Sequence, residues 1–185
     1  MKTTTIALTL ILASCASTSN QTANSNLPTR GIELSLGERQ LNNIWQPLEE
    51  HQMVGLTYKD AAPQTIGWEV GLATSEDTHP ALPGVKFSTE ELFGGARYEF
   101  KPMGKFTPYG GAGISMISGK IETPSGNADE STTALYMHAG VKMDLSRNVS
   151  LGLDLRLLRG ADVAFGGAEV DLNHEQLTLV LSFGF

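Results

Sequence analysis

The side chain best placed for chemistry is His138, which shares one face of a predicted strand with Tyr136 and Lys142. An imidazole beside a phenol and an ammonium group could take part in acid–base catalysis or act as a pH-sensitive pairing group. It could equally be one member of a packed polar interior. No two of the four histidines have the spacing of metal ligands, so the sequence predicts no metal site and no cofactor.

A second set of ionisable side chains lies in the middles of predicted strands, always on the polar face. Buried charges are costly unless they are paired, so an inward polar face predicts a charge network in which Asp154 pairs with Arg156, Arg97 or Lys142. With His138, the predicted members of this lumen network are Glu69, Glu91, Arg97, Glu99, Lys142, Asp144, Asp154 and Arg156.

The elements that must position these residues are strands. In LTLVLSFGF (177–185), leucine and phenylalanine alternate with small or polar residues, as expected for a two-sided strand. The same period of two recurs in seven other stretches. These are GIELSLG, MVGLTY, TIGWEVGLA, ELFGGARYEF, FTPYGGAGISMI, ALYMHAGVKMDL and VSLGLDLRL. The sequence therefore predicts an all-β, eight-stranded fold.

Short and long connections alternate along the chain. DAAPQ, KPMGK and DLSRN are short turns, whereas QLNNIWQPLEE, SEDTHPALPGVKFS, SGKIETPSGNADES and GADVAFGGAEVDLN are predicted long loops. In an antiparallel up-and-down barrel, alternate connections lie at the same end. Short turns at one end and long loops at the other are typical of a transmembrane barrel.

Alternation alone fits either a lipocalin-like cup with an apolar interior or a membrane barrel with a polar one. Three features favour the membrane barrel: the polar face is rich in glycine, alanine and serine, it carries both signs of charge, and the apolar face ends in aromatics near the short turns. Those aromatics are Tyr58, Trp68, Tyr98, Phe100, Phe106, Phe183 and Phe185.

The strand pattern, FTPYGGAG (106–113) and the terminal SFGF resemble small outer-membrane barrels of the outer-membrane protein A and W type, over residues 32–185. The resemblance implies an eight-stranded antiparallel transmembrane β-barrel in contact with outer-membrane lipid, with long loops extracellular and both termini periplasmic. It also implies that Phe185, with Phe183, is read by the barrel-assembly machinery. Some such barrels modify lipid A, and a His-x-Ser on a strand is the pattern of the deacylase type. His138 is followed by Ala139 and Gly140 instead, so no enzyme is predicted.

The N-terminus has the pattern of an export signal, with Lys2 before the apolar IALTLILA (6–13). The LASC that follows resembles a lipoprotein lipobox, which implies lipidation of Cys15, the only cysteine. Cleavage after Ala16 is the alternative. The predicted organisation is a signal peptide with lipobox at 1–14, a flexible polar tether at 15–31 and a barrel at 32–185.

The net charge of −7, without a basic cluster, argues against nucleic acid as a partner. The predicted function is a structural or interaction role with a closed, charge-paired lumen. A narrow channel for small or apolar solutes is the alternative, and a lipid-modifying enzyme and a ligand-binding cup rank lower.

Overall fold

The computed structural model describes residues 29–42, 45–124, 126–165 and 168–185. Eight long strands form one closed antiparallel barrel. They are β1 (Arg30–Leu41), β2 (Glu50–Asp60), β3 (Ile66–Thr78), β4 (Lys86–Glu99), β5 (Phe106–Thr123), β6 (Gly126–Asp144), β7 (Val149–Arg159) and β10 (His174–Gly184). A separate hairpin consists of β8 (Asp162–Phe165) and β9 (Ala168–Asp171). The predicted eight-stranded antiparallel barrel is confirmed.

The barrel closes between its first and last strands. Ile32 of β1 is the register partner of Phe183 of β10, and the backbone N–H of Phe185 donates to the Arg30 carbonyl at 3.0 Å. Strand β1 begins at Arg30, inside the segment predicted as tether. The predicted signal peptide and Cys15 lie outside the described residues. We call the end of the barrel that carries Arg30 and Phe185 the turn end, and the opposite end the loop end.

Regular structure extends into the predicted long loops. Strands β3 and β4 pair as far as Thr78 and Lys86, inside the loop predicted at 75–88. The predicted loop at 118–131 is wrong, because β5 and β6 continue as a paired hairpin up to Thr123 and Gly126. Its side chains pair across the ladder, as in the 2.9 Å contact between the Ser118 and Ser131 hydroxyls. The predicted loop at 160–173 contains the β8–β9 hairpin.

The wall has an apolar outside and a polar inside for most of its height. In β7, Leu153 is 53% exposed whereas its neighbour Asp154 is 8% exposed. The same alternation runs through the other long strands, so the apolar face predicted to contact lipid is the outer one. A cup with an apolar interior and polar exterior is therefore excluded. No helix in the described residues is long and apolar enough to cross a membrane.

Inward glycines make room for the large side chains of the interior. A Cβ atom added to Gly140 would lie 2.5 Å from the Tyr109 ring, and one on Gly111 would lie 2.3 Å from Nε2 of His138. Real Cβ contacts are never this close, so both positions must remain glycine for Tyr109 and His138 to point inward. The small residues of the polar face therefore accompany a filled barrel.

The interior becomes apolar at the loop end. Phe87, Ile117, Leu158 and Leu172 are completely buried there. Trp45, from the connection between β1 and β2, stacks on Phe87 with ring centroids 4.1 Å apart. Its indole N–H donates to the Asp171 carbonyl at 2.7 Å, which links that connection to the β8–β9 hairpin. We call this group of residues the loop-end cap.

Candidate functional site

Below the loop-end cap, the interior holds three layers of charged side chains. The first layer centres on Glu91, whose carboxylate lies 2.6 Å from Nη2 of Arg39 and 2.6 Å from Nη2 of Arg156. The Ser115 hydroxyl donates to the same carboxylate at 2.7 Å. Arg39 also donates to the Thr89 hydroxyl at 2.6 Å. One buried carboxylate therefore compensates two buried guanidinium groups.

The middle layer centres on Arg97, which is 2% exposed. Its two terminal nitrogens bind the Glu33 carboxylate in a bidentate pair at 2.9 and 3.0 Å, and Nη1 also donates to Glu69 at 3.2 Å. The Tyr136 hydroxyl donates to the other Glu69 oxygen at 2.8 Å. The Arg97 guanidinium lies over the Tyr109 ring at 4.0 Å. Such fixed, bidentate geometry is what arginine provides and lysine does not.

His138 joins the middle layer between two carboxylates. Its Nδ1 lies 2.9 Å from Oδ2 of Asp154, and its Nε2 lies 3.0 Å from Oε1 of Glu69. The predicted pairing of Asp154 with Arg156, Arg97 or Lys142 is therefore wrong, because its ionic contact within the described residues is His138. Arg156 points toward Glu91 instead.

The third layer lies toward the turn end and centres on Glu99. Lys59 and Lys142 both contact its Oε1 atom, Lys142 at 2.7 Å, and Nε of Arg97 lies 3.6 Å from the same oxygen. Asp144 is half-buried near this layer and accepts a hydrogen bond from the Ser150 hydroxyl at 2.8 Å. No cation of the described residues lies within ion-pair distance of Asp144.

The three layers bring together all of the predicted network residues except Asp144. They also contain Glu33, Arg39 and Lys59, which were not among the predicted members. Arg39 lies on the same face of β1 as Glu33, and Lys59 lies on the same face of β2 as Thr57, because each pair is separated by an even number of residues. Extending the alternation to the true ends of β1 and β2 would have found Arg39 and Lys59.

Little space remains between the layers. A cavity of about 30 Å³ in the middle of the barrel is lined by Arg97, Tyr109, His138 and Asp154, among others. That volume holds one or two water molecules. Among the described residues, no group of three or more His, Cys, Asp or Glu side chains is arranged to hold a metal ion. The described interior is thus a packed set of ion pairs and aromatic rings.

The predicted assembly residues lie at the opposite end from the cap. Phe183 is 42% exposed and Phe185 is 63% exposed on the outer face, and Phe185 lies beside Tyr58 with ring centroids 6.4 Å apart. The Phe100 and Phe106 side chains are exposed at the same end. The geometry is consistent with an interfacial position, and the role of the terminal phenylalanine in assembly stays a prediction.

The fold has close counterparts among solved outer-membrane proteins. Neisserial surface protein A superposes with a TM-score of 0.66 at 13% identity, over 84% of this chain and 96% of that one. The attachment invasion locus protein of Yersinia pestis gives 0.55 at 11% identity, over 86% of this chain and 98% of that one. The N-terminal barrel domain of Pseudomonas aeruginosa OprF gives 0.51 at 15% identity, over 84% and 97%. At these identities, the similarity concerns the fold alone.

A search of curated protein sequences found no match. Residues 6–185 match the family described as the outer membrane protein beta-barrel domain. This match covers nearly the whole chain, including every described strand. The chain therefore belongs to the outer membrane protein beta-barrel domain family and is an outer-membrane β-barrel.

Proposed function

We propose that this protein is a closed barrel that serves as a structural or interaction scaffold in the outer membrane, without conducting solutes. The observation that carries the proposal is the filled interior: three layers of ion pairs are covered at the loop end by the fully buried side chains of the cap. An ion crossing this interior would have to separate several buried charge pairs, each of which is costly to break.

Planar-bilayer conductance tests this closure against the alternative of a narrow channel. The purified barrel, inserted at neutral pH, is expected to give no steady current, while a large porin in the same bilayer serves as the positive control. Insertion is verified independently by protease protection in vesicles. A steady, reproducible open current from the wild-type barrel would favour the channel and contradict the scaffold.

We further propose that the loop end is extracellular and that the turn end, with both chain termini, is periplasmic. The short connections of the turn end and the longer structures of the loop end support this orientation, because outer-membrane barrels have short periplasmic turns. The loop-end surface is also strongly acidic. Its exposed carboxylates are Glu38, Glu50, Glu76, Glu90, Asp129, Glu130, Asp162, Glu169 and Glu175. This surface disfavours nucleic acid and favours partners with cationic groups.

A pair of single cysteines tests the orientation. Glu130→Cys lies on the β5–β6 hairpin at the loop end, and Lys101→Cys lies in an exposed turn at the other end. With Cys15 replaced by serine, a membrane-impermeant maleimide applied to intact cells should label Glu130→Cys at once and Lys101→Cys only after lysis. The reverse pattern would invert the proposed orientation.

Two further proposals concern the chain ends. Lipidation of Cys15 would anchor the N-terminal segment in the leaflet next to the turn end, where Arg30 begins the barrel. Radiolabelled palmitate should then enter the wild type and not Cys15→Ala, and equal labelling of both would reject the anchor.

The exposed Phe185 is proposed as part of the signal for the barrel-assembly machinery, so removing it should reduce membrane insertion in cells while leaving refolding into detergent unchanged.

A further inference from the structure

A small vestibule lies inside the turn end of the barrel, below the Glu99 layer. Its wall includes Lys59, Thr107, Lys142 and Ser182. Arg147 and Asn148, both exposed in the connection between β6 and β7, form its rim. The vestibule therefore opens toward the turn end, whereas the middle cavity lies deeper in the barrel.

The two lysines of the vestibule have more hydrogen-bonding capacity than their partner can use. Both ammonium groups contact one oxygen of Glu99, and Lys59 otherwise has only the Glu33 carboxylate at 4.0 Å among the described charged groups. An ammonium group carries three donor protons, so each lysine has N–H bonds left for another acceptor. Those spare donors point to an acceptor from outside the chain.

Thr107 provides a second, independent observation that points to a ligand in the vestibule. Its side chain is 1% exposed, and its hydroxyl makes no hydrogen bond with any described residue. Thr107 is the register partner of Lys142 on the neighbouring strand, so both side chains lie on the same face of the wall. A buried hydroxyl without a partner costs free energy unless a water or a ligand satisfies it.

The charge balance of the vestibule favours an anion over water alone. Its cations are Lys59, Lys142 and Arg147, and its carboxylates are Glu99 and Asp144, so one positive charge is in excess. Asp144 already accepts the Ser150 hydroxyl at 2.8 Å. We propose that the turn-end vestibule binds a phosphate-class oxyanion through Lys59, Lys142 and the Thr107 hydroxyl. This site is independent of the scaffold role proposed for the loop end.

Titration of the refolded barrel with inorganic phosphate tests the site. In detergent micelles at constant ionic strength, the backbone amide resonance of Thr107 should shift saturably. Lys142→Met removes one ammonium group at similar side-chain length and should weaken the apparent affinity by about tenfold, as expected for a charge-assisted hydrogen bond. Lys101→Met removes an exposed charge outside the vestibule and should leave the affinity unchanged.

A second variant decides the matter if Lys142→Met fails to fold. Thr107→Val keeps the shape and the charge of the vestibule and removes only the hydroxyl, so it should fold and bind phosphate several-fold more weakly. The absence of a saturable shift in the wild type, an unchanged affinity in Thr107→Val, or an equal loss in Lys101→Met would overturn the proposal.

The source of the oxyanion is distinguished by lipid composition. Nanodiscs containing phosphatidylglycerol, compared with phosphatidylcholine alone and without free phosphate, should shift the Thr107 resonance if a lipid headgroup is the ligand. If only free phosphate produces the shift, the ligand is a soluble anion. Either result supports an oxyanion site and identifies its source.

Discussion

The two halves of strand β7 reverse their polarity. Toward the turn end, Leu153 faces outward and Asp154 faces inward, whereas at the loop end Leu158 is completely buried and Arg159 faces outward in an ion pair with Glu175. Strand β4 makes the same change between outward Leu92 and buried Phe87. A membrane barrel is apolar outside, and a water-soluble sheet packs its apolar residues inside. The reversal therefore marks the level at which the wall leaves the hydrocarbon.

This comparison explains why one barrel has two kinds of interior. Where lipid surrounds the wall, outward leucines meet the hydrocarbon and the narrow lumen is filled by paired charges such as Arg97 and Glu33. Above that level, water surrounds the wall and the interior is a hydrophobic core around Phe87 and Leu158. Ion pairs therefore fill the lumen inside the membrane, and the loop-end cap is the hydrophobic core of the part of the barrel that is surrounded by water.

The largest effect is expected in the charged half. Glu91→Gln keeps the shape of the side chain but leaves Arg39 and Arg156 buried without a counter-charge, which should lower the free energy of unfolding by about 3–5 kcal/mol. Urea unfolding in lipid vesicles, followed by tryptophan fluorescence, measures the change. Glu90→Gln, the exposed neighbour, is the matched control and should be nearly neutral. Equal effects of the two variants would refute the ion-paired layer.

The apolar half should respond to loss of volume rather than loss of charge. Leu158→Ala opens a cavity in the loop-end cap and should cost about 2–5 kcal/mol. Leu157→Ala, at the half-exposed neighbouring position, should cost clearly less in the same urea experiment. Similar losses at both positions would mean that the cap is not a packed core.

The two halves of the barrel also differ in what surrounds their outer face. Leu153→Arg places a charge in the hydrocarbon and should cost about 2–4 kcal/mol near the midplane. Leu153→Met keeps the side chain apolar and should fold like the wild type. Membrane-soluble thiol reagents should also reach cysteines at 151, 153 and 155 but not at 152, 154 and 156. Labelling of the even positions alone would place the apolar face inside.

The smallest expected change in stability comes from removing a hydroxyl group from one of two inward tyrosines. Tyr136→Phe removes the hydroxyl that donates to Glu69 at 2.8 Å and should cost about 1–2 kcal/mol. Tyr109→Phe removes a buried hydroxyl that makes no hydrogen bond among the described residues, so it should be close to neutral. Both variants keep the aromatic ring that faces an arginine. A larger loss for Tyr109→Phe would contradict this assignment of the hydrogen bonds.

The two-residue period was enough to predict the barrel and its strand number, because each strand carries that period. The outward apolar face also required the small residues and paired charges of the polar face and the aromatics near the short turns. The period did not predict the partner of Asp154, since the inward direction of a side chain does not say which of several inward groups it meets. His138 contacts Asp154 from the adjacent strand β6, and Arg156 turns across the lumen toward Glu91 of β4. Nor did it predict the β8–β9 hairpin, whose short strands alternate too briefly to be recognised.

The most direct test of the closed interior compares two serines replaced by cysteine. Ser115 is completely buried beside Glu91, and Ser150 is half-buried in the wall of the turn-end vestibule. In the folded barrel with Cys15 replaced, a small water-soluble thiol reagent should modify Ser150→Cys readily and Ser115→Cys only after heat unfolding. Modification of Ser115→Cys in the folded barrel as fast as Ser150→Cys would show an open lumen and contradict the account.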